Sequence, residues 1–148
     1  MNAKTWLSRA FCIEKQVQSK MEQIEALKSL ACRMTVGFGS EPVKHTRNTS
    51  AMQDTVAHIL EAEEELNRRI DELVSMKLEI ANVIDRVEDA MLRLVLEKRY
   101  LNFETWEGIA AEMYISSRTV LRMHEKALEA VQEILDREVS GHDPELPS

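Results

Sequence analysis

One repeat constrains the fold of this sequence more than any other feature. Every seventh residue is aliphatic at six successive positions: Ile59, Leu66, Leu73, Ile80, Val87 and Leu94. The residues three places earlier in each repeat are Val56, Glu63, Ile70, Lys77, Ile84 and Met91. A seven-residue repeat with two apolar positions is typical of a coiled coil, in which helices pack along their length. Glu63 and Lys77 interrupt the second set, and polar residues at such positions commonly fix the register or the choice of partner.

A second amphipathic helix is predicted before this repeat. Apolar residues recur there at steps of three and four: Leu7, Ala10, Ile13, Val17, Met21, Ile24, Leu27 and Ala31. The pattern predicts helices over about 4–33 and 53–84, joined by a loop over 35–51 that has no period and is rich in turn-forming residues. Because two long apolar stripes need to be buried, we expect residues 1–84 to form an antiparallel helical hairpin. Association with a second copy of the chain, as a homodimer or higher oligomer, would bury the same stripes, and the sequence leaves both solutions open.

Glycine and proline, which form turns and break helices, are scarce in the chain. There are four Gly and three Pro among 148 residues, so we predict an all-α fold. After the hairpin, Asp85 followed by Glu88 is a capping signal that favours a new helix from Arg86 to about Tyr100, although the repeat also allows one continuous helix. The expected domains are a helical hairpin over 1–84, a helix–turn–helix domain over 85–136 and a flexible tail over 137–148.

Residues 105–135 have the pattern of a helix–turn–helix. Thr105 and Ser116 each supply a hydroxyl that caps a helix N-terminus, and the turn before the second cap is short, at Tyr114 and Ile115. Two helices that cross over so short a turn approach closely, which requires a small residue and convergent apolar side chains. The residues that meet this requirement are Ile109, Ala110, Met113, Ile115, Val120 and Met123. Tyr114 stands where such turns usually have glycine, because the backbone there tends to be left-handed.

The second helix of such a motif enters the major groove of double-stranded DNA. Arg118 and Arg122 lie four residues apart and so project from one face, and an arginine fork bonds both acceptors of a guanine edge. The unpaired N–H groups at the helix start suit a phosphate. The predicted DNA-binding residues are Ser116, Ser117, Arg118, Thr119, Leu121, Arg122, Glu125, Lys126, Lys98 and Arg99.

Charge limits the expected strength of this interface. The chain has a net charge of −7, and residues 85–133 contain seven Lys and Arg against ten Asp and Glu. Because DNA binding gains from the release of counterions, so acidic a domain is expected to bind weakly and in a salt-sensitive way. Oligomerisation, or a partner already on the DNA, would supply the missing affinity.

Residues 93–128 resemble region four of the bacterial primary-type sigma factors, which reads the promoter −35 element. The shared features are Arg99-Tyr100, the helix start Thr105-Trp106-Glu107 followed by Ile109-Ala110, the turn Ile115-Ser116 and the late Ala127-Leu128. The whole chain is similar to small phage and prophage proteins with an N-terminal helical pair and a sigma-region-four-like module, of the type of the ArpU and RinA late-transcription regulators. The resemblance implies a sequence-specific DNA-binding regulator, with RNA polymerase as a further partner. Nothing in the chain resembles the sigma regions that melt promoters, so a complete sigma factor is not expected.

The sequence has no pattern of catalytic or metal-binding residues. His45, His58, His124 and His142 have no neighbour at ligand spacing, and there is no phosphate-binding glycine loop or nucleophile motif. We therefore expect a protein that is not an enzyme and that holds neither a cofactor nor a metal. The N-terminus lacks the apolar run of a signal peptide and no segment is apolar enough to span a bilayer. The expected location is thus the cytoplasm of a bacterial host cell, with no membrane partner.

Two other functions fit the same pattern. One is a phage assembly protein, such as a small terminase-like DNA-packaging adaptor, in which a helix–turn–helix accompanies helices that drive oligomerisation. The other is an interaction module that docks on RNA polymerase and makes little contact with DNA, a reading favoured by the excess of carboxylates. A ring of many subunits in solution would favour packaging, whereas a monomer or dimer would favour regulation.

Overall fold

The computed structural model of the protein describes residues 2–37 and 45–141. Within these residues the backbone is helical almost throughout and contains no strand, which confirms the all-α class. The helices are α1 (Ala3–Leu7), α2 (Arg9–Gly37), α3 (His45–Ile84), α4 (Ala90–Leu96), α5 (Trp106–Met113) and α6 (Ser117–Gly141). A π-helical turn, Glu97–Leu101, continues directly from α4. None of the helices in the described residues has both the length and the apolar character needed to cross a membrane.

The chain divides into two compact units. One comprises Met1–Cys12 together with Val74–Ser148, and the other comprises Ile13–Leu73. The long helices α2 and α3 each contribute residues to both units, whereas α1, α4, α5 and α6 belong to the first unit alone.

The unit Ile13–Leu73 is an antiparallel pair of helices. Oγ1 of Thr55, near the start of α3, lies 3.7 Å from Sδ of Met34, near the end of α2. Farther from the connection, Gln16 of α2 and Glu65 of α3 border one groove, so the two helices run in opposite directions. The buried apolar side chains of this unit are Ile13, Val17, Ile24, Ile59 and Leu73.

Burial along the heptad repeat follows one of its two positions. In the wholly aliphatic set, Ile59, Leu73, Ile80 and Val87 are buried, and Leu66 and Leu94 are half-buried. In the other set, Ile84 is buried whereas Val56, Ile70 and Met91 are exposed. Glu63 and Lys77 are half-buried. The aliphatic position therefore supplies most of the buried side chains, whereas the position with polar interruptions is exposed or half-buried except at Ile84.

Both long helices extend beyond the limits that the sequence predicts. α2 continues to Gly37 and α3 begins at His45, so the structure differs from the predicted loop over 35–51 at both of its ends. Residues 38–44 lie outside the described residues. The polar composition of this segment predicts a loop, but polar side chains can also be satisfied within a helix. The hydroxyl of Thr55 donates to the carbonyl of Ala51, one helical turn earlier, at 2.8 Å. Ser and Thr satisfy their hydroxyls in this way without leaving the helix.

α3 and α4 are separate helices, which is one of the two arrangements that the sequence leaves open. α4 begins at Ala90 and not at the predicted Arg86. Its N-cap is Asp89, whose carboxylate accepts two N–H groups of the first turn at 2.9 and 3.3 Å. Asp85 is not the cap, because its own N–H donates to a carbonyl of α3 at 2.9 Å and so prolongs that helix.

The N-terminal helix packs against the C-terminal one. Asn2 caps α1 by accepting a backbone N–H of its first turn at 2.8 Å. The N–H of Ala3 then donates to Oε1 of Gln132 on α6, also at 2.8 Å. Ala3, Leu7 and Ala10 are buried. The residues that begin the predicted hairpin therefore share a core with α6.

α6 continues to Gly141, so the first part of the segment 137–148, predicted to be a flexible tail, is helical. Arg137 and Glu133, one turn apart on this stretch, form an exposed ion pair at 3.7 Å. Residues 142–148 lie outside the described residues.

Candidate nucleic-acid interface

The candidate interface is built on α5, the turn that follows it and the first half of α6. α5 is capped by Thr105, whose Oγ1 accepts the N–H of Gly108 at 3.1 Å. α6 is capped by Ser116, whose Oγ accepts the N–H of Thr119 at 3.1 Å and lies 2.8 Å from the Thr119 hydroxyl. Both caps are at the positions that the sequence predicts, because Ser and Thr hydroxyls satisfy N–H groups that a helix leaves unpaired at its start.

The turn between α5 and α6 contains Tyr114 in a left-handed conformation, with φ 57° and ψ 39°. The N–H of Tyr114 donates to the carbonyl of Ala111 at 3.3 Å, and that of Ile115 to the carbonyl of Ala110 at 3.1 Å, which ends α5. This conformation costs a residue with a side chain roughly 1–2 kcal/mol. The Tyr114 side chain is 95% exposed, so packing offsets little of that cost.

Beneath the turn, α4, α5 and α6 meet in one apolar cluster. Val95, Ile109 and Val120 are fully buried, and Ala110 is buried with them. Partly buried side chains pack around this centre: Trp106, Met113, Ile115 and Met123. The structure thus brings together all six residues predicted for the core of the motif, and adds Val95 from α4 and Trp106 from α5.

The outward face of α6 holds most of the predicted DNA-binding residues. Exposed side chains at the start of this helix and its cap are Ser116, Ser117, Arg118, Thr119, Leu121, Arg122, Glu125 and Lys126. Arg118 and Arg122 are one helical turn apart and share a face. Leu121, 45% exposed, precedes Arg122 directly. Eight of the ten predicted residues therefore lie on one exposed stretch.

Lys98 and Arg99, the other two predicted contacts, lie at the base of the motif. Lys98 forms ion pairs with Glu112 and, at 3.7 Å, with Glu104. The hydrogen bond between Lys98 and Glu112 raises the pKa of Lys98 above its usual value and lowers the pKa of Glu112. Arg99 donates to the Glu104 carbonyl at 2.9 Å and stacks 4.4 Å from the centre of the Trp106 ring. Both cations therefore tie the π-helical turn to α5 and its N-cap region instead of joining the exposed stretch of α6.

A buried hydrogen bond between Tyr100 and His124 is the polar feature that sequence reasoning missed. Tyr100 Oη and His124 Nε2 are 2.6 Å apart, and the Trp106 ring centre lies 4.5 Å from that of the imidazole. Burial lowers the pKa of His124 to about 4, and the charges of Lys4 and Arg99 act in the same direction. Burial also raises the pKa of Tyr100 to about 12. Both groups are therefore neutral at pH 7.

Two of the four histidines, His58 and His124, have described side chains. His124 is buried, and His58 on α3 has a side chain that is 70% exposed and lies 4.0 Å from Glu61. The side chains of His45 and His142 lie outside the described part of the chain. Among the described side chains, no three His, Cys, Asp or Glu residues are grouped so as to hold a metal ion.

The fold and the site define an all-α protein with a capped helix–turn–helix segment whose second helix exposes Arg118 and Arg122 near its start. The chain belongs to the family described as "Protein of unknown function (DUF1492)", whose model matches residues 43–132. The matched region contains α3, α4, α5 and the first part of α6, and so includes the whole candidate interface. Comparisons with curated proteins and with solved structures gave no match.

Proposed function

We propose that this protein binds double-stranded DNA through the outward face of α6 and regulates transcription, as a regulator of the phage or prophage type. The observation that supports the proposal is the pair Arg118 and Arg122, exposed side by side near the capped start of α6. An arginine fork on a guanine edge discriminates against other bases by roughly 1–3 kcal/mol. The resemblance of residues 93–128 to sigma region four supports the same reading.

Phosphate contacts would orient α6 on the duplex. Ser116 and Ser117 lie at the helix N-terminus, where unpaired N–H groups and the helix dipole favour an anion. Arg118, Arg122 and Lys126 are the cations of this exposed stretch, since Lys98 and Arg99 are engaged at the base of the motif. Three cations in the groove cancel about three phosphate charges even where a guanidinium group bonds to a base, which predicts a slope of about −2.7 for log affinity against log salt concentration. Affinity would then fall roughly 40-fold between 50 and 200 mM salt.

A gel-shift assay with fragments of prophage regulatory DNA tests the proposal. The wild-type protein is expected to shift a subset of fragments at low salt, and the double variant Arg118→Ala/Arg122→Ala to bind them at least about 30-fold more weakly. Arg137→Ala controls for the loss of an arginine charge in general, because it removes one guanidinium group from the same helix roughly 22 Å beyond Arg122. Equal binding by the wild type and the double variant would overturn the assignment.

A second candidate function is docking on RNA polymerase with little DNA contact, and the exposed side chains of Leu121 and Tyr114 favour it. Leu121 is 45% exposed beside the arginines, and Tyr114 on the preceding turn is 95% exposed. Aromatic residues and arginine are enriched at protein interfaces relative to the rest of the surface. Retention of purified polymerase without DNA, lost in Leu121→Ser, together with no salt-dependent DNA binding, would favour docking over DNA recognition.

A further inference from the structure

A cavity of about 160 Å³ lies beside the helix–turn–helix, enclosed by α1, the start of α2, the π-helical turn and the start of α5. Its walls are aromatic and cationic. The rings are Phe11, Tyr100, Phe103 and Trp106, the cations are Lys4 and Arg99, and a serine completes the lining. Among the residues that the structure describes, no carboxylate lines the cavity, although the chain as a whole has 26 Asp and Glu against 19 Lys and Arg.

The rings of the cavity are held in place by contacts with one another and with cations. Phe11 and Phe103 meet edge to face, with ring centres 5.7 Å apart and planes at 69°. Lys77 lies 4.9 Å from the centre of the Phe103 ring. The backbone at Phe103 is left-handed, with φ 56°, which is a strained conformation for a residue with a side chain. Such strain persists where the surrounding structure enforces it, and it is concentrated at functional sites, ligand clamps among them.

The two cations reach the cavity from different parts of the chain. Arg99 is fixed by its hydrogen bond to the Glu104 carbonyl at 2.9 Å and by its stacking on Trp106 at 4.4 Å. Lys4 is on α1, which the bond from the Ala3 N–H to Gln132 anchors on α6. Lys4 and Arg99 both line the same cavity, together with its aromatic side chains. An anion in the cavity would therefore meet two cations and no carboxylate.

We propose that this cavity binds a small aromatic carboxylate, with the ring among Phe11, Phe103 and Trp106 and the carboxylate on Lys4 and Arg99. The volume suits a single ring, since an apolar cavity of roughly 150 Å³ accommodates benzene. The carboxylate gains charge-assisted hydrogen bonds, which are stronger than neutral ones. Because the lining comes from α1 as well as from the base of the helix–turn–helix, a bound ligand also stabilises the fold, by an amount that rises with the logarithm of its concentration above the dissociation constant. The site does not depend on the proposed DNA binding.

Titration of the full chain with benzoate, followed by the indole N–H resonance of Trp106 and without DNA, tests the site. Saturable shifts are expected, with a dissociation constant below about 10 mM. That limit corresponds to a low binding free energy per heavy atom for a ligand of about nine heavy atoms. Benzyl alcohol, which keeps the ring, and acetate, which keeps the carboxylate, should each bind at least about tenfold more weakly. Equal binding of benzyl alcohol and benzoate, or no saturable shift with benzoate, would refute the proposal.

Variants of the lining locate the ligand. Lys4→Gln and Phe11→Ala change exposed side chains and are each expected to weaken benzoate binding at least about tenfold. Lys28→Gln is the control, because it removes the same charge from an exposed position on α2 that does not line the cavity, and it should bind as the wild type does. Unchanged affinity in both cavity variants would place any bound benzoate elsewhere and overturn the assignment.

Discussion

Replacing His124 by glutamine should make the stability of the protein less sensitive to acid. In the folded protein the His124 imidazole is 6% exposed, its Nε2 lies 2.6 Å from Tyr100 Oη, and burial holds its pKa at about 4. In the unfolded chain a histidine titrates near 6.5. Between pH 4 and 6.5 the unfolded state therefore binds more protons than the folded state. Stability is thus lost as the pH falls through this window.

The size of the effect follows from the difference between the two pKa values of His124. That difference corresponds to about 3 kcal/mol in the free energy of unfolding. About 2 kcal/mol of it is lost between pH 7 and pH 5, a range in which most carboxylates stay ionised. Glutamine offers polar atoms to the Tyr100 hydroxyl but does not titrate. The variant should therefore keep nearly the same stability at both pH values, whatever its stability at pH 7.

Urea unfolding followed by circular dichroism at pH 7 and pH 5 measures this difference. His58→Gln is the control, because the His58 side chain is 70% exposed on α3, and it should keep the pH dependence of the wild type. If His124→Gln lost as much stability as the wild type between the two pH values, then His124 would not be a buried neutral histidine, and the account of the core beneath α6 would be wrong.

Two further predictions concern helix ends. Asp89→Ala should lower the free energy of unfolding by about 1 kcal/mol in urea titrations, since two N–H groups lose their cap, whereas Asp85→Ala should change it by less than about 0.5 kcal/mol. If Asp85→Ala lowered the free energy of unfolding more than Asp89→Ala does, Asp85 would be the N-cap of α4. The free energy of unfolding of Tyr114→Gly should be about 1 kcal/mol higher than that of Tyr114→Ala, because alanine keeps the penalty of the left-handed backbone and glycine does not. Equal thermal and urea stability of these two variants would contradict the turn geometry.

The sequence predicts the helical class and the core of the motif because both depend on period. Burial in an amphipathic helix recurs at steps of three and four, and the aliphatic heptad position and the six motif residues follow that rule. His124 obeys it too, since it lies between Val120 and Ala127 on the buried stripe of α6. The spacing therefore indicates that His124 is buried, but it does not indicate that Tyr100 is its hydrogen-bond partner.

The helical period of the sequence does not indicate which residues contact one another across the fold. Ala3 bonds to Gln132, 129 residues away, and no local pattern relates them. Lys98 and Arg99 look like surface cations in the sequence. Long side chains reach neighbours that only the tertiary fold supplies, here the carboxylate of Glu112 and the ring of Trp106. The candidate interface is consequently less basic than the sequence suggests.

The salt dependence of DNA binding tests the central claim most directly. Fluorescence anisotropy with a labelled duplex taken from a shifted fragment, measured from 50 to 200 mM salt, should give the wild type a slope of about −2.7. The Arg118→Ala/Arg122→Ala variant should give a slope near −1 and about 30-fold weaker binding at low salt, with Arg137→Ala close to the wild type. If all three proteins bound with one affinity and one slope, α6 would not be a DNA-reading helix.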